Sequence, residues 1–461
     1  MTSFAILGLT FAIVILSRFL LPQVQRTIRK WKAVLYIGCR EPPRYHHKDP
    51  LGRDLFRRTI EAYKEHKFLD FTERLFQEHG NTFKTITEGK VLIKTRDPEV
   101  SKAVYTTFFD KFGLQPIRYE GGKGFFGDGI LVTDGAQWKR SRTLIRPAFD
   151  IAHIANFNRL DRHVSRFLEI LPQDGSTIDL LPLFKRLTLD LSSEFIFGKA
   201  MDALSSPESC KEFITAFTTA QRGVVMKPAA REKNWEASCQ LVTKYVDDRV
   251  EEAIERASSA QKMSGGSAKY VRLVDELVKA TQDRRALRYQ VLSVFSPAHD
   301  TVAVTLGNLF FHLARNPLAW DRLRQELLPT AHHHRQCLET CILPCGGGAD
   351  GKRPLLVEKG NIVETNFRLM QRGKSYWGED AEEFRPERWE NIRPTWEYTP
   401  FSGGPRICPA FKLVYTECEY IAAAMLREFS GLENRDSELA WIEERRLIFQ
   451  SKNGTLVGLR R

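Results

Sequence analysis

The stretch Phe401–Ala410, FSGGPRICPA, constrains this chain more than any other part of it. Gly403, Gly404 and Pro405 favour a tight, non-helical backbone. Cys408 follows, and the text then turns helical in spacing, AFKLVYTECEYIAAAMLREF, with Val414, Ile421, Met425 and Phe429 on one apolar face. A sulfur at the entry to a helix gains from the helix dipole and its free amides, which favour the thiolate. Arg406, just upstream, can pair with an anion beside a metal held by that sulfur. A loop of this kind needs a large body around it. With 461 residues, 42% hydrophobic and 27% charged, the chain has ordinary globular usage. That excludes a wholly disordered, collagen-like or polytopic membrane protein. Length alone suggests about three domains. The eight cysteines are dilute, which argues against a disulfide scaffold and for a reducing compartment.

The first residues set a second constraint. Phe4–Leu21, FAILGLTFAIVILSRFLL, is 18 residues long, near the lower limit for crossing a bilayer. Its one charge, Arg18, sits close enough to the end to snorkel. No Lys or Arg precedes the run, whereas Arg26, Arg29, Lys30 and Lys32 follow it, which places the bulk of the chain in the cytosol. A basic start and a small-residue cleavage site are both missing, so a membrane anchor is read over a cleaved signal. Residues 1–22 are taken as a single-pass transmembrane anchor, 23–51 as a basic, Pro-rich linker containing REPPRYHHKDPL, and 52–461 as the globular body. Lys plus Arg exceed Asp plus Glu by 69 to 57, a net +12 that suits an acidic partner or an anionic surface. The basic residues are spread along the chain with no recognised binding motif, so no nucleic-acid partner is expected.

The body is expected to be mainly α with small β-sheets. Helical spacing runs through Leu55–Gln77, Leu180–Phe197 and Trp235–Ala257. Strand-like text occurs at Thr82–Thr95 and Leu447–Val457, the latter with the hairpin signal Asn453-Gly454. Ser258–Ser267 reads as a flexible loop, and no internal repeat is visible.

The pattern F-x-x-G-x-R-x-C-x-G/A in Phe401–Ala410 resembles the haem-ligand loop of the cytochromes P-450. That resemblance implies the cytochrome P-450 fold, preceded here by the anchor helix. It implies that Cys408 is the axial thiolate of a haem iron, that Phe401 packs beside it, that Gly404 shapes the loop, and that Arg406 holds a haem propionate. Further matches support it. Pro297, Ala298, His299, Asp300 and Thr301 are similar to the family's A/G-G-x-D/E-T signature on the helix crossing the distal haem face. Asp300 and Thr301 would be the acid and alcohol that relay protons. Ala298 replaces the signature Gly, and Pro297 should kink that helix. Trp138 and Arg142 match W-x-x-x-R, whose members share a helix face, with Arg142 on a propionate. FRPERW, Phe384–Trp389, matches the segment before the haem loop, where Arg388 joins a buried ion network. The closest resemblance is to fungal n-alkane and fatty-acid hydroxylating members. It implies a monooxygenase of the endoplasmic reticulum membrane with a cytosolic catalytic domain and a hydrophobic small-molecule substrate. Electrons would come from NADPH through a separate reductase, whose acidic surface the basic surplus fits.

One family feature is missing. The helix carrying E-x-x-R, whose residues pair with the later Arg388, has no match between Leu318 and Glu383. ETCI at Glu339–Ile342 has the Glu without the Arg, as if the motif began there and an internal deletion followed near 340–343. Arg388 would then be buried without partners. The chain is accordingly either a haem-thiolate monooxygenase or a catalytically impaired, haem-deficient relic or mis-spliced gene product. His332, His333, His334, Cys337, Cys341 and Cys345 crowd the same place, but their spacing is not a standard zinc pattern, so no metal site is expected there.

Overall fold

The helix Arg284–Arg315 organises the chain, because it is buried on almost every side. Asp283 caps it by accepting from the amides of Arg285 and Ala286. Leu287, Val291, Phe295 and Leu306 are all fully buried, and a helix apolar all round must run through a core. Its main partner is the helix Leu180–Phe197, which spans the residues expected from the sequence. That helix starts at the Asp179 cap and stops at Gly198, whose φ of 79° ends it in the left-handed region. One apolar cluster, with Phe295, Phe217 and Val246, fills one side of this pair. A second, with Phe310, Phe184 and Met425, fills the other.

This computed structural model describes all residues except 1, 151–153, 155–156, 225, 227–230, 261–271, 322–331, 384 and 447. The side chains of 2–15, 19, 260, 318, 321, 332, 333 and 386 also lie outside the description.

The sheets are small, as expected. The largest has five strands in the order β1 (Thr82–Thr87), β2 (Lys90–Thr95), β8 (Ile362–Asn366), β5 (His332–Cys337) and β3 (Phe112–Gly113). β6 (Cys341–Gly347) and β7 (Arg353–Val357) form a hairpin. β4 (Asp174–Asp179), β12 (Leu456–Arg460) and β9 (Gly431–Asn434) form a three-stranded sheet. β10 (Glu443–Arg445) pairs with β11 (Phe449–Ser451).

Several expectations are corrected. Leu55–Gln77 is two helices, Arg53–Lys64 and Phe68–His79, parted at His66, whose φ is 57°. The second begins where it does because Glu443 accepts from the amides of Phe68 and Leu69, at 2.6 and 2.8 Å. Asn453-Gly454 closes no hairpin, since β11 and β12 belong to different sheets and the turn hands the chain from one to the other. The Pro-rich linker is docked: the Tyr45 amide donates to the carbonyl of Lys84, the Lys84 amide to that of Pro43, and the amide of Arg40 to that of Pro354. Most of the expected loop Ser258–Ser267 lies outside the described residues, and Ser258 and Ser259 extend the helix Trp235–Ala260.

Glu339 and Thr340 start no helix. They sit in the turn joining β5 to β6, and β5 pairs residue by residue with β8 from His332 to Gln336. The text there is a continuous strand, turn and strand. The stretch just before it, 322–331, lies outside the described residues. Arg388 is not stranded either. It is buried, but its guanidinium donates to the carbonyls of Trp377, Asp380 and Glu383 at 2.8–3.1 Å. The Asp380 carboxylate adds an ion pair at 3.5 Å, beside these backbone acceptors.

Residues Thr2–Ile37 form one helix. Among the described residues no helix is long and apolar enough to cross a membrane, so the transmembrane anchor expected over 1–22 finds no support in the described part. Most side chains of Phe4–Leu21 lie outside it.

A buried ion pair ties the Cys408 region to the body. Arg159 and Glu417 meet at 3.0 Å with side-chain exposures of 2% and 7%. Arg159→Leu leaves Glu417 buried without its cation, and its expected cost is about 3–5 kcal/mol. Urea unfolding of the purified chain checks this, since an unchanged midpoint and slope would exclude it.

Candidate functional site

Cys408 lies between the short turn Gly404–Arg406 and the helix Phe411–Glu428. The turn depends on Gly404. Its φ is 69°, and a Cβ there would meet the carbonyl oxygen of Tyr105 at 2.0 Å. Gly404 therefore shapes the loop without lining the cavity that the loop faces. The Cys408 amide donates to the carbonyl of Phe401 at 3.1 Å, which closes the loop on itself. Phe401 is wedged against Phe411 and Tyr415.

The cavity holds about 270 Å³ and is walled mainly by apolar groups, among them Leu114, Ile130, Val294, Ala298 and Leu413. The structure brings Cys408, Phe401, Arg406, Trp138, Arg142 and Thr301 to it, as the sequence implied. Trp138 and Arg142 reach it together from the helix Gly135–Ile145. Asp300 does not line it. The acid turns to the other side of the long helix, is buried, and pairs with Lys185 at 3.3 Å facing a second cavity. Thr301, on the Cys408 side, donates its hydroxyl to the carbonyl of Pro297 at 2.9 Å. The helix continues through Pro297, and its carbonyls nearby are held from outside. Gln221 donates to Ser296 at 2.6 Å, and the Thr188 hydroxyl to His299 at 2.5 Å.

Two cavity residues escaped the sequence reading. Arg118 lies in the phrase FGLQPIRYEGG, which shows no periodic or motif signal of its own. Arg335 lies in HHHRQC, where the neighbouring His and Cys drew attention to metal chemistry instead. Among the described residues no group of three metal-ligating side chains forms. His334 hydrogen-bonds Glu364 at 3.0 Å, and the Cys337 thiol points to the carbonyl of Glu339.

The electrostatics of the cavity are those of a site built for an anion. Arg118, Arg142, Arg335 and Arg406 all line it. Burial pushes Arg118 down to about 10, with the positive charge of Arg335 adding to the fall. Burial likewise pushes Arg406 down to about 10; Asp134 opposes the shift, and Arg335, Arg118 and Arg142 reinforce it. Asp134 pairs with Arg406 at 2.6 Å, and the one carboxylate in the lining, Glu417, is taken by Arg159. Arg406 also lies over the Trp138 ring, 4.3 Å from its centroid. Burial pushes the Cys408 thiol up, against the pull of the Ala410 amide and Arg142. Coordination to a metal cation would offset that cost by holding the thiolate.

The Cytochrome P450 family model matches residues 53–342 and 351–457. The chain belongs to the cytochrome P450 family, and it is a monooxygenase. It is similar to the cytochrome P450 monooxygenase iccC of Talaromyces variabilis, at 33% identity over 87% of this chain and 88% of that one. It is also similar to apdE of Emericella nidulans, at 30% over 92% and 90%, and to fsdH of Fusarium heterosporum, at 30% over 100% and 89%. These relatives are monooxygenases of fungi, and their names carry no mention of alkanes or fatty acids. Family members carry a haem-thiolate cofactor and draw on redox-partner reductases and hydrophobic substrates.

The residues present fit that haem. Of the four guanidinium groups that line the cavity only Arg406 has an ion-pair partner among the described residues, so the set is short of anions, and two haem propionates would supply what is missing. The apolar walls suit the macrocycle, and Cys408 offers the only sulfur among the cavity's lining residues.

Gly404→Ala forces a β-carbon onto the Tyr105 carbonyl. The strained φ alone is expected to cost at least about 1 kcal/mol, and the loop should no longer present the sulfur. A carbon monoxide difference spectrum of the purified variant checks this: a band as intense as that of the unmodified protein would refute it.

Proposed function

We propose that this chain is a haem-thiolate monooxygenase that inserts one oxygen atom of O2 into a hydrophobic, aliphatic small molecule, with electrons from NADPH through a separate reductase. One observation carries the reading: Cys408 and four arginines converge on a single apolar cavity beneath Thr301. When bound, a thiolate-ligated haem supplies the activation of dioxygen, helped by electron density from the sulfur.

The chain's residues then have separate tasks. Cys408 Sγ is the metal ligand. Arg118, Arg142, Arg335 and Arg406 hold the two propionates, Arg142 with Trp138 at one edge and Arg406 braced by Asp134. Phe401 packs beside the sulfur and keeps water from it. Thr301 Oγ1 donates to the Pro297 carbonyl, which leaves its lone pairs to accept a proton donor on the cavity side. Asp300 Oδ1, held by Lys185 Nζ, takes protons from the second cavity and passes them across the helix toward Thr301. Val294, Ala298 and Val302 give the substrate an apolar wall.

We also propose that the chain is attached to the endoplasmic reticulum membrane by its first helix, with the catalytic domain in the cytosol. The apolar run Phe4–Leu21 and its basic flank support this. So does the apolar surface beyond the run, where Val24, Ile28, Trp31 and Leu35 are exposed on the same helix. The n-alkane or fatty-acid substrate rests on sequence resemblance, and the cavity's apolar lining supports an aliphatic chain of that kind.

A second reading is a chain short of part of its proximal core. Its alignment with fsdH runs over 509 positions and covers all 461 residues, which leaves 48 positions of the alignment without a counterpart here. Those positions and the unmatched E-x-x-R favour a chain impaired in binding haem. A stable carbon monoxide band at the thiolate position rejects this second reading.

Reconstitution with a flavoprotein reductase, NADPH, an n-alkane and a saturated fatty acid tests the main one. Thr301→Ala and Asp300→Asn are each expected to lower product formed per NADPH consumed, with rate losses on the order of 10²-fold. Cys408→Ser is expected to abolish product. Undiminished product from Cys408→Ser overturns the assignment, and absence of oxygenated product from both substrates overturns the aliphatic one.

A further inference from the structure

The second cavity lies across the long helix from Cys408 and holds about 340 Å³, within the size range of small-ligand sites. Its walls come from the helices Leu180–Phe197 and Pro207–Val224, the long helix, and Arg446 just after β10. Five cations line it, Lys185, Arg186, Lys211, Arg222 and Arg446, against two carboxylates, Glu208 and Asp300. Four of the five are engaged. Lys185 pairs with Asp300, Lys211 with Glu208, Arg222 with Glu232 and Arg446 with Glu444, all at 3.0–3.4 Å. Arg186 has no ion-pair partner among the described residues. His299 adds a second unpartnered group. It is 7% exposed and packs its ring 4.9 Å from that of Phe217, and its Nδ1 makes no hydrogen bond. The rest of the wall is largely apolar, with Leu189, Ile214 and Pro207.

These features select a ligand class. A free guanidinium takes a carboxylate through two parallel hydrogen bonds. The apolar wall gains only if the ligand also carries a hydrophobic body to remove from water. An inorganic anion would leave that wall wet, and a neutral hydrophobe would leave Arg186 unpaired. We propose that this cavity binds a small organic carboxylate, with its head on Arg186 between Arg446 and Lys185 and its body against Leu189 and Ile214. Lys185 then has two claimants, the ligand and Asp300. Occupancy weakens the hold of Lys185 on Asp300 and so couples the site to proton delivery. The coupling rests on the monooxygenase reading; the binding site does not.

Calorimetric titration of the full-length protein with benzoate, and with benzamide as its uncharged counterpart, tests the site. Saturable binding of benzoate and none of benzamide is expected. Arg186→Gln should weaken benzoate about tenfold or more. Ile214→Glu, which sets a like charge in the wall and leaves Arg186 intact, should do the same, with circular dichroism confirming that both variants fold. No benzoate binding to the unmodified protein overturns the proposal, and so does binding that both variants retain in full, which would locate it elsewhere, such as the Cys408 cavity. In the reconstituted system, benzoate should change the rate of product formation in the unmodified protein and not in Arg186→Gln. If no product forms at all while benzoate still binds through Arg186, the catalytic reading fails and the site stands.

Discussion

Like charge held in a confined apolar space is the constraint on which the centre of this molecule depends. Arg118, Arg142, Arg335 and Arg406 come from four separate parts of the chain, and burial and neighbouring cations weaken the hold of Arg118, Arg142 and Arg406 on their protons. Removing cations from water is costly unless anions meet them. Within the cavity Asp134 meets one of them, and the Trp138 and Tyr105 rings face two through their π systems. The arrangement makes sense for a chain completed by a dianionic cofactor, whose binding then contributes to the stability of the fold around it.

The long helix divides this chemistry into two compartments. Its burial on all sides is what allows one face to serve the Cys408 cavity and the other a charged cavity beside Asp300. Adjacent residues on a helix point about a hundred degrees apart, and that step puts Thr301 on the Cys408 side and Asp300 on the other. Pro297 lies at the divide. A proline lacks the amide that would hold the carbonyl a turn earlier. Gln221 and Thr188, from neighbouring helices, donate to the carbonyls of Ser296 and His299 on either side of it. The helix is continuous through Pro297 and is tied there to both neighbours.

Much of the site was legible because its signals are local. The Cys408 loop, the i, i+4 pair Trp138 and Arg142, and the Asp300-Thr301 dipeptide each carry their chemistry within a few residues. Arg118 and Arg335 were not legible, since a single arginine in unpatterned text acquires meaning only from what folds next to it. The same limit applies near Glu339. Its Glu-Thr text resembles a motif start, yet pairing of β5 with β8 makes it a turn. Arg388 shows the limit from the other side: its partners are the Asp380 carboxylate and three backbone carbonyls nearby, which no motif announced.

By itself the sequence determined the family and the predominance of helix and singled out the Cys408 loop, because glycine dihedrals, helical periodicity and a thiol at a helix start are properties of short segments. Tertiary structure alone decided which charges meet. It turned Asp300 away from Thr301 and onto Lys185, gathered four distant arginines around one cavity, and left Arg186 unpaired in another. Electrostatic energies depend on separation in space and on burial, and neither is written in the order of residues.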